Sequence, residues 1–293
     1  MEELAIIIPA FRGLHLHRAL SSLRLQKDRH FRVYVCDDAS PDEIASVAAE
    51  FEDTLDLTYC RFEENYGATR PSAHLQRCLD QTRGEGLVCF FSDNNEWTVD
   101  AVHQIRRAAE RRTEVDVFHL NTVFIDEASV RTGDGRRFGR RLDARKLFRR
   151  IFVKGAPAPM SSFVFRRPAL DRAMFQIKDI FRSPLTLVFA AIGIEGELFT
   201  VRRARLLKRA GESMTLEKAL QLQSFFFWSE YFFGESYPLS PRDRVELFAA
   251  RAADMYPALS EEEIREKFLQ FRVFEREMGK GRGKRILHRA LFK

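Results

Sequence analysis

An α/β fold built on a mostly parallel sheet follows from three features of this sequence. Short apolar runs rich in β-branched residues alternate with segments of helical period through the first half. The intervening helices open on residues suited to a first turn. Three strand-like runs end in polar clusters, and the carboxyl ends of strands are where parallel sheets hold ligands. The chain has 293 residues, 45% of them hydrophobic, enough for one large domain with an appendage.

The alternation begins at "LAIIIPAF", a strand. "LHLHRALSSLRLQ" follows, with Leu16, Leu20 and Leu23 at helical spacing. "FRVYVC" is a second strand. "SPDEIASVAAEF" predicts a helix with Ser40 as N-cap, Pro41 at the first helical position and Glu43 at the third. "LTYCRF" is a strand, "PSAHLQRCLDQT" a helix, "GLVCFF" a strand, "VDAVHQIRRAAE" a helix and "EVDVFHL" a strand. The pattern changes after about residue 127. The Gly- and Arg-rich "ASVRTGDGRRFGRR" predicts a mobile loop, and residues 143–215 mix short helices and strands. From 216 onward the sequence is helical, with a second capping pattern at Ser260 and Glu263. Two regions result: a main domain over 1–215, and a helical C-terminal extension with a basic tail over 216–293.

The formal net charge of +6 is local. Residues 131–150 carry nine Lys/Arg against Asp134 and Asp143. Residues 279–293 carry six against no acid, so the remainder is acidic. The basic segment at 131–150 reads as a solvated loop, a phosphate grip or a membrane contact. The tail reads as a disordered end or a short amphipathic helix suited to an anionic leaflet. Nucleic-acid binding finds no recognition motif beside the charge. No signal peptide is evident, and "PLTLVFAAIGI" is too short to span a bilayer, so a cytoplasmic protein with at most peripheral membrane contact is expected. The four cysteines lack CxxC spacing. Cys36 and Cys89 sit in strand-like runs and are expected to be buried, reduced thiols.

The polar clusters at the strand ends carry the chemistry. They are Pro9-Ala10-Phe11-Arg12, Asp37-Asp38-Ala39-Ser40 and Ser92-Asp93-Asn94-Asn95. No GxGxxG or GxxxxGK(S/T) follows a strand, and neither a nucleophile elbow nor HExxH is present. Adjacent carboxylates such as Asp37 and Asp38 repel one another and are tolerated when solvated or bound to a ligand.

Taken with "FEENYGA", "AHLQRCLD" and "FFSDNNE", these motifs make the chain resemble glycosyltransferase family 2, nucleotide-sugar-dependent enzymes of GT-A fold. The similarity covers residues 4 to about 110, extends to a bacterial branch with an FSDDD-like signature, here degenerate, and returns at "APMSSFVFRR" and "GIEGELFTVRRARLLKRAGESMT". The resemblance implies a GT-A sandwich. Pro9, Ala10, Phe11 and Arg12 would line the base and ribose pocket, and Asp37 or Asp38 would bind the nucleotide. Asn65 and Gly67 would shape the loop beside the diphosphate. Asp93 would open a DxD-type signature holding Mg²⁺ or Mn²⁺ against the diphosphate.

This chain departs from that pattern twice. Asn95 stands where the second metal-binding acid belongs. If the register is instead anchored on Glu96-Trp97, Ser92 and Asn94 take the two end positions, and one carboxylate is still missing. The acidic pair that supplies the branch's catalytic base counts back from Gly193-Ile194 to Ser183-Pro184-Leu185. Asp179 is the nearest substitute, with Glu195 and Glu197 downstream. The expected function is inverting transfer of a sugar from a nucleotide donor, UDP-type, to a hydroxyl of a surface glycan or lipid-linked oligosaccharide. The alternative is a catalytically silent relative acting as a nucleotide-binding scaffold.

Overall fold

The computed structural model describes residues 2–67, 70–148, 150–151, 156–177, 184–193 and 196–209. All of these fall in one compact unit, residues 1–211. The extension expected over 216–293 lies outside the described residues, as do Asp179 and Glu195.

The chain order is β1 (Leu4–Ala10), α1 (Leu16–Arg24), β2 (Phe31–Asp37), α2 (Ile44–Ala49), β3 (Leu57–Arg61), α3 (Pro71–Leu79) and β4 (Leu87–Phe90). Then come β5 (Asn95–Trp97), α4 (Ala101–Arg111), β6 (Val117–Ile125), β7 (Arg131–Asp134), β8 (Arg141–Asp143) and α5 (Ala144–Phe148). The last described elements are β9 (Phe163–Arg166), α6 (Arg167–Ile177), α7 (Pro184–Ile192) and β10 (Glu197–Arg209). Every strand and helix expected before residue 127 is present.

The described strands form one sheet in the order β3-β2-β1-β4-β9-β6-β10-β5, with β7 on β6 and β8 on β10. Strands β1 to β4 are mutually parallel, as are β6 and β10. Strands β5, β7, β8 and β9 pair antiparallel. Helices cover both faces. Leu4, Ile6, Ile8 and Ala10 of β1 pack toward α1, Ile44 of α2 and α4. The alternate residues, Ala5 and Ile7, are equally buried, and α3 lies against β1 while α6 lies against β4. Burial on both faces explains why β1 reads as an unbroken apolar run and not an alternating one. Each buried leucine or isoleucine among them contributes roughly 1.5–3 kcal/mol.

Three local expectations change. First, α2 begins at Ile44, not beside Ser40, and Glu43 at its N-cap makes no side-chain cap bond. The Ser40 oxygen accepts the Asp42 amide at 2.9 Å, and its hydroxyl donates to the Phe11 carbonyl at 2.7 Å, so it closes a turn ahead of the helix. Second, the Gly/Arg-rich stretch is not a free loop. Residues 131–134 turn back antiparallel onto the end of β6, and residues 141–143 pair with β10, far along the chain. Third, Asn95–Trp97 is a short strand against β10, and Trp97 is buried edge-on to Phe91 with ring centroids 5.1 Å apart. It belongs to the core. The four thiols are free, and Cys36 and Cys89 are buried as expected.

Arg166, at the end of β9, ties the sheet to α4. Its guanidinium donates to the carbonyls of Ala109 (2.7 Å), Arg112 (2.9 Å) and Val115 (2.8 Å), and to Glu2 at 2.5 Å. A cation at a helix C-terminus satisfies carbonyls that lack an intrahelical partner. Arg166→Ala is expected to lower unfolding free energy by about 2–4 kcal/mol, measured by urea denaturation, with Arg166→Lys recovering only part.

Candidate nucleotide cleft at the strand ends

The carboxyl ends of β1, β2 and β4 meet, and hydrogen bonds between their trailing segments fix the meeting. The Asp38 amide donates to the Ala10 carbonyl at 2.9 Å, and Phe91 to Ile7 at 2.6 Å. The Gly13 amide donates to the Asp42 carboxylate at 2.7 Å. The Arg12 amide donates to the Asp93 carboxylate. Phe11, Asp38 and Asp93 therefore belong to a single site, as the strand-end pattern requires.

The adjacent acids Asp37 and Asp38 are 0% and 2% exposed. Each is compensated separately. Asp37 accepts the Ser40 amide (2.7 Å), the Tyr59 hydroxyl (2.7 Å) and Arg61 (2.6 Å). Burial, and then the bond to Asp37, push the Tyr59 phenol up. Arg61 also reaches the Ser40 carbonyl at 2.9 Å, closing the turn in which Ala39 sits at φ 56°. A left-handed alanine is strained by about 1 kcal/mol or more, and those bonds hold it.

Asp38 accepts the Tyr66 amide (3.0 Å), the Gly67 amide (2.8 Å) and Arg77. Arg77 lies 3.9 Å from the Phe62 ring centre and 4.2 Å from that of Tyr66, and donates to the Glu64 carbonyl at 2.8 Å. Its Nε–H donates to His74 Nδ1 at 3.2 Å. Burial holds the His74 pKa below the ordinary histidine value, outweighing Asp38, so the ring is neutral and Nδ1 is an acceptor. The 3.3 Å approach of that nitrogen to Asp38 is thus bridged by Arg77 and is not an ion pair.

Neither carboxylate of the expected nucleotide-binding pair is exposed toward a ligand. Their oxygens are occupied by the amides, arginines and Tyr59 hydroxyl they organise, and what they fix is the path of the surrounding loops. Exposed or half-exposed around them are Phe11, Arg12, Asn65, Tyr66, Gly67, Ser92, Asp93 and Asn94. Pro9 and Ala10 contribute backbone within β1.

The signature segment is divided in orientation. Asp93 accepts the Ser92 hydroxyl and the Arg12 and Asn94 amides, and burial pushes its pKa up to about 6. Asn95 turns inward, 2% exposed, with Nδ2 donating to Ser161 Oγ at 3.0 Å. The same oxygen accepts the Ser92 amide at 2.8 Å. Asn95 Oδ1 is sealed from solvent with no partner; rotating the amide by half a turn would let it accept the Ser161 proton. Glu96 accepts Ser129 (2.6 Å) and the buried Arg209 (2.7 Å). Arg209 also donates to Ser129 at 2.8 Å and lies 3.6 Å from Glu127.

The pair Asp93 and Asn95, expected to hold Mg²⁺ or Mn²⁺, is therefore not presented to one ion. Asn95 faces the interior, Glu96 is neutralised, and hard dications want several anionic oxygens. Among the described residues no group of three or more His, Cys, Asp or Glu could hold a metal. Three residues at the site escaped the sequence reading: Ser161, Ser129 and Arg209. Ser161 and Arg209 lie inside "APMSSFVFRR" and "RARLLKRAGES", whose similarity was visible while their side-chain roles were not. Nothing local marks Ser129, which sits at φ 63°.

Comparisons with known proteins agree with this geometry. The sequence profile described as Glycosyl transferase family 2 matches residues 5–173. A GalNAc(5)-diNAcBac-PP-undecaprenol beta-1,3-glucosyltransferase of Campylobacter jejuni is 29% identical over 110 residues, which are 37% of this chain and 35% of that enzyme. The crystal structure of S. aureus TarS superposes with a TM-score of 0.65 at 15% identity, covering 98% of this chain and 52% of that one. A TarS 1-349 structure in complex with UDP gives 0.64 at 14%, covering 97% of this chain and 82% of that one. A third, in complex with UDP-GlcNAc, gives 0.62 at 15%, covering 97% and 82%. The fold is thus of the GT-A type. The chain spans about a third of the Campylobacter enzyme and about half of TarS.

Two outcomes are expected from the site. A Cβ at Gly67 would lie 2.7 Å from Asp38 Oδ2, so Gly67→Ala should speed hydrogen exchange at the Tyr66 and Gly67 amides and lower stability by about 1–3 kcal/mol. The raised Asp93 pKa means the folded state binds that proton more tightly than the unfolded chain. That stabilisation is complete below the ordinary value of 3.8 and is lost as pH rises through about 6. Asp93→Asn should therefore match the wild type near the acid end and exceed it by about 1–3 kcal/mol at alkaline pH, read from thermal melts across pH.

Proposed function

The chain belongs to glycosyl transferase family 2, and on that premise we propose that it moves a sugar from a UDP-type donor to a hydroxyl of a lipid-linked or surface-glycan acceptor, with inversion at the anomeric carbon. The observation that carries this reading is the hydrogen-bonded convergence of Phe11–Gly13, Asp37–Asp42, Tyr66–Gly67 and Ser92–Asp93 at the carboxyl ends of parallel strands. Neighbours of the same fold that hold UDP and UDP-GlcNAc support the donor class, and a relative named for a lipid-linked substrate supports the acceptor class.

In this reading Phe11, 40% exposed, offers its ring to the base, and the loop fixed by Asp38 borders the diphosphate. The acceptor hydroxyl attacks the anomeric carbon, a carboxylate takes its proton, and UDP departs from the opposite face. Asp179 is the proposed base, and it lies outside the described residues. Among the described residues no helix is long and apolar enough to cross a membrane. Work at the cytoplasmic face, with the basic tail on an anionic leaflet, completes the reading.

The missing second acid favours a second reading, a silent relative that binds nucleotide without turnover. Release of UDP, assayed with a panel of UDP-sugars and polyprenyl-diphosphate-linked acceptors, separates the two. Acceptor-dependent release, falling by about a hundredfold or more in Asp93→Ala, is the expected result. UDP binding with no release from any donor would favour the silent relative.

A further inference from the structure

Departure of a nucleoside diphosphate leaves negative charge that a cation must meet. The donor set for a dication is poor here. Of residues 92–96, Asp93 alone presents a carboxylate that is not neutralised, and it already accepts two amides. Ser92 Oγ, with one proton to give, lies 2.8 Å from Asn94 Oδ1 and 3.3 Å from Asp93 Oδ1; Asn95 is sealed against Ser161, and Glu96 is paired with Arg209.

A different cation stands at the same place. Arg12 follows β1 directly, is exposed, and acts electrostatically on Asp93 while its own amide anchors that carboxylate. Three other arginines around the cleft are committed: Arg61 to Asp37, Arg77 to Asp38 and Arg209 to Glu96. Arg70 lies over the Tyr66 ring, 5.1 Å from its centre. Among the described residues no ion pair holds the Arg12 guanidinium. A guanidinium matches phosphate with two parallel hydrogen bonds, and unlike a dication it needs no second acid to retain it.

We propose that this chain grips the diphosphate of its donor without a divalent ion, the guanidinium of Arg12 supplying the positive charge beside Asp93. The proposal rests on the UDP-type donor reading above. Asp93 then serves as a positioning residue. It fixes the Arg12 backbone and, by its charge, keeps the guanidinium over the mouth of β1.

The test is calorimetric titration of the full chain with UDP at constant ionic strength, once with Mn²⁺ and once with EDTA, and with uridine as the phosphate-free control. The expected Kd for UDP agrees within about threefold between the two buffers. Arg12→Ala weakens UDP by more than about tenfold, leaves uridine unchanged and leaves the melting temperature unchanged, since the side chain is exposed. Arg12→Lys recovers part of the loss. Tightening of UDP by tenfold or more on adding Mn²⁺ would overturn the proposal while upholding the donor reading. So would Arg12→Ala binding UDP as the wild type does. Absence of UDP binding in both buffers would remove the donor reading, and this inference with it.

Discussion

Two neighbouring carboxylates at the end of β2 sit out of contact with water, and the cleft is organised around keeping them there. An isolated buried carboxylate costs several kcal/mol, and a second beside it adds repulsion. The fold meets this with one arginine each, Arg61 for Asp37 and Arg77 for Asp38, and with backbone amides from segments that have no other reason to adjoin. The arginines come from different elements, β3 and α3. The position of α3, the path of residues 62–67 and the left-handed turn at Ala39 are all consequences of the same electrostatic demand. Loss of either arginine would strand a buried charge, the situation in which a buried pair is worth most to its host.

That arrangement also explains why a site so visible in sequence was read in part for the wrong duty. "DDASPD" does stand at a strand end that joins the cleft, yet its adjacent acids Asp37 and Asp38 face inward. Sequence patterning registers that charged residues cluster; it does not register which way they point. The same limit applies at Asn95, whose amide is recruited by Ser161 from 66 residues away.

What could be read from the sequence were the elements whose signals are local. β1, β2, α3, β4 and α4 announce themselves through apolar period and bounding polar residues, and their order alone places the cleft. What was illegible depended on tertiary partners. Residues 131–134 and 141–143 have weak strand character and pair only because the end of β6, just before them, and β10, far along the chain, offer edges. Ser40 has every local attribute of a helix cap, and its oxygen does accept the Asp42 amide at 2.9 Å, while its proton goes to the Phe11 carbonyl, brought close by the β1–β2 register. The regular helix nevertheless starts three residues later than expected, at Ile44.

The double use of Ser161 constrains how this signature can change over generations. Its oxygen takes the Ser92 amide and the Asn95 amide together, so an acid introduced at 95 would arrive in a sealed space with one hydroxyl proton to meet it. Such a charge would cost several kcal/mol. Restoring a two-acid signature is thus no single step; position 161 would have to be remade first. The amide is entrenched by a neighbour that is itself buried.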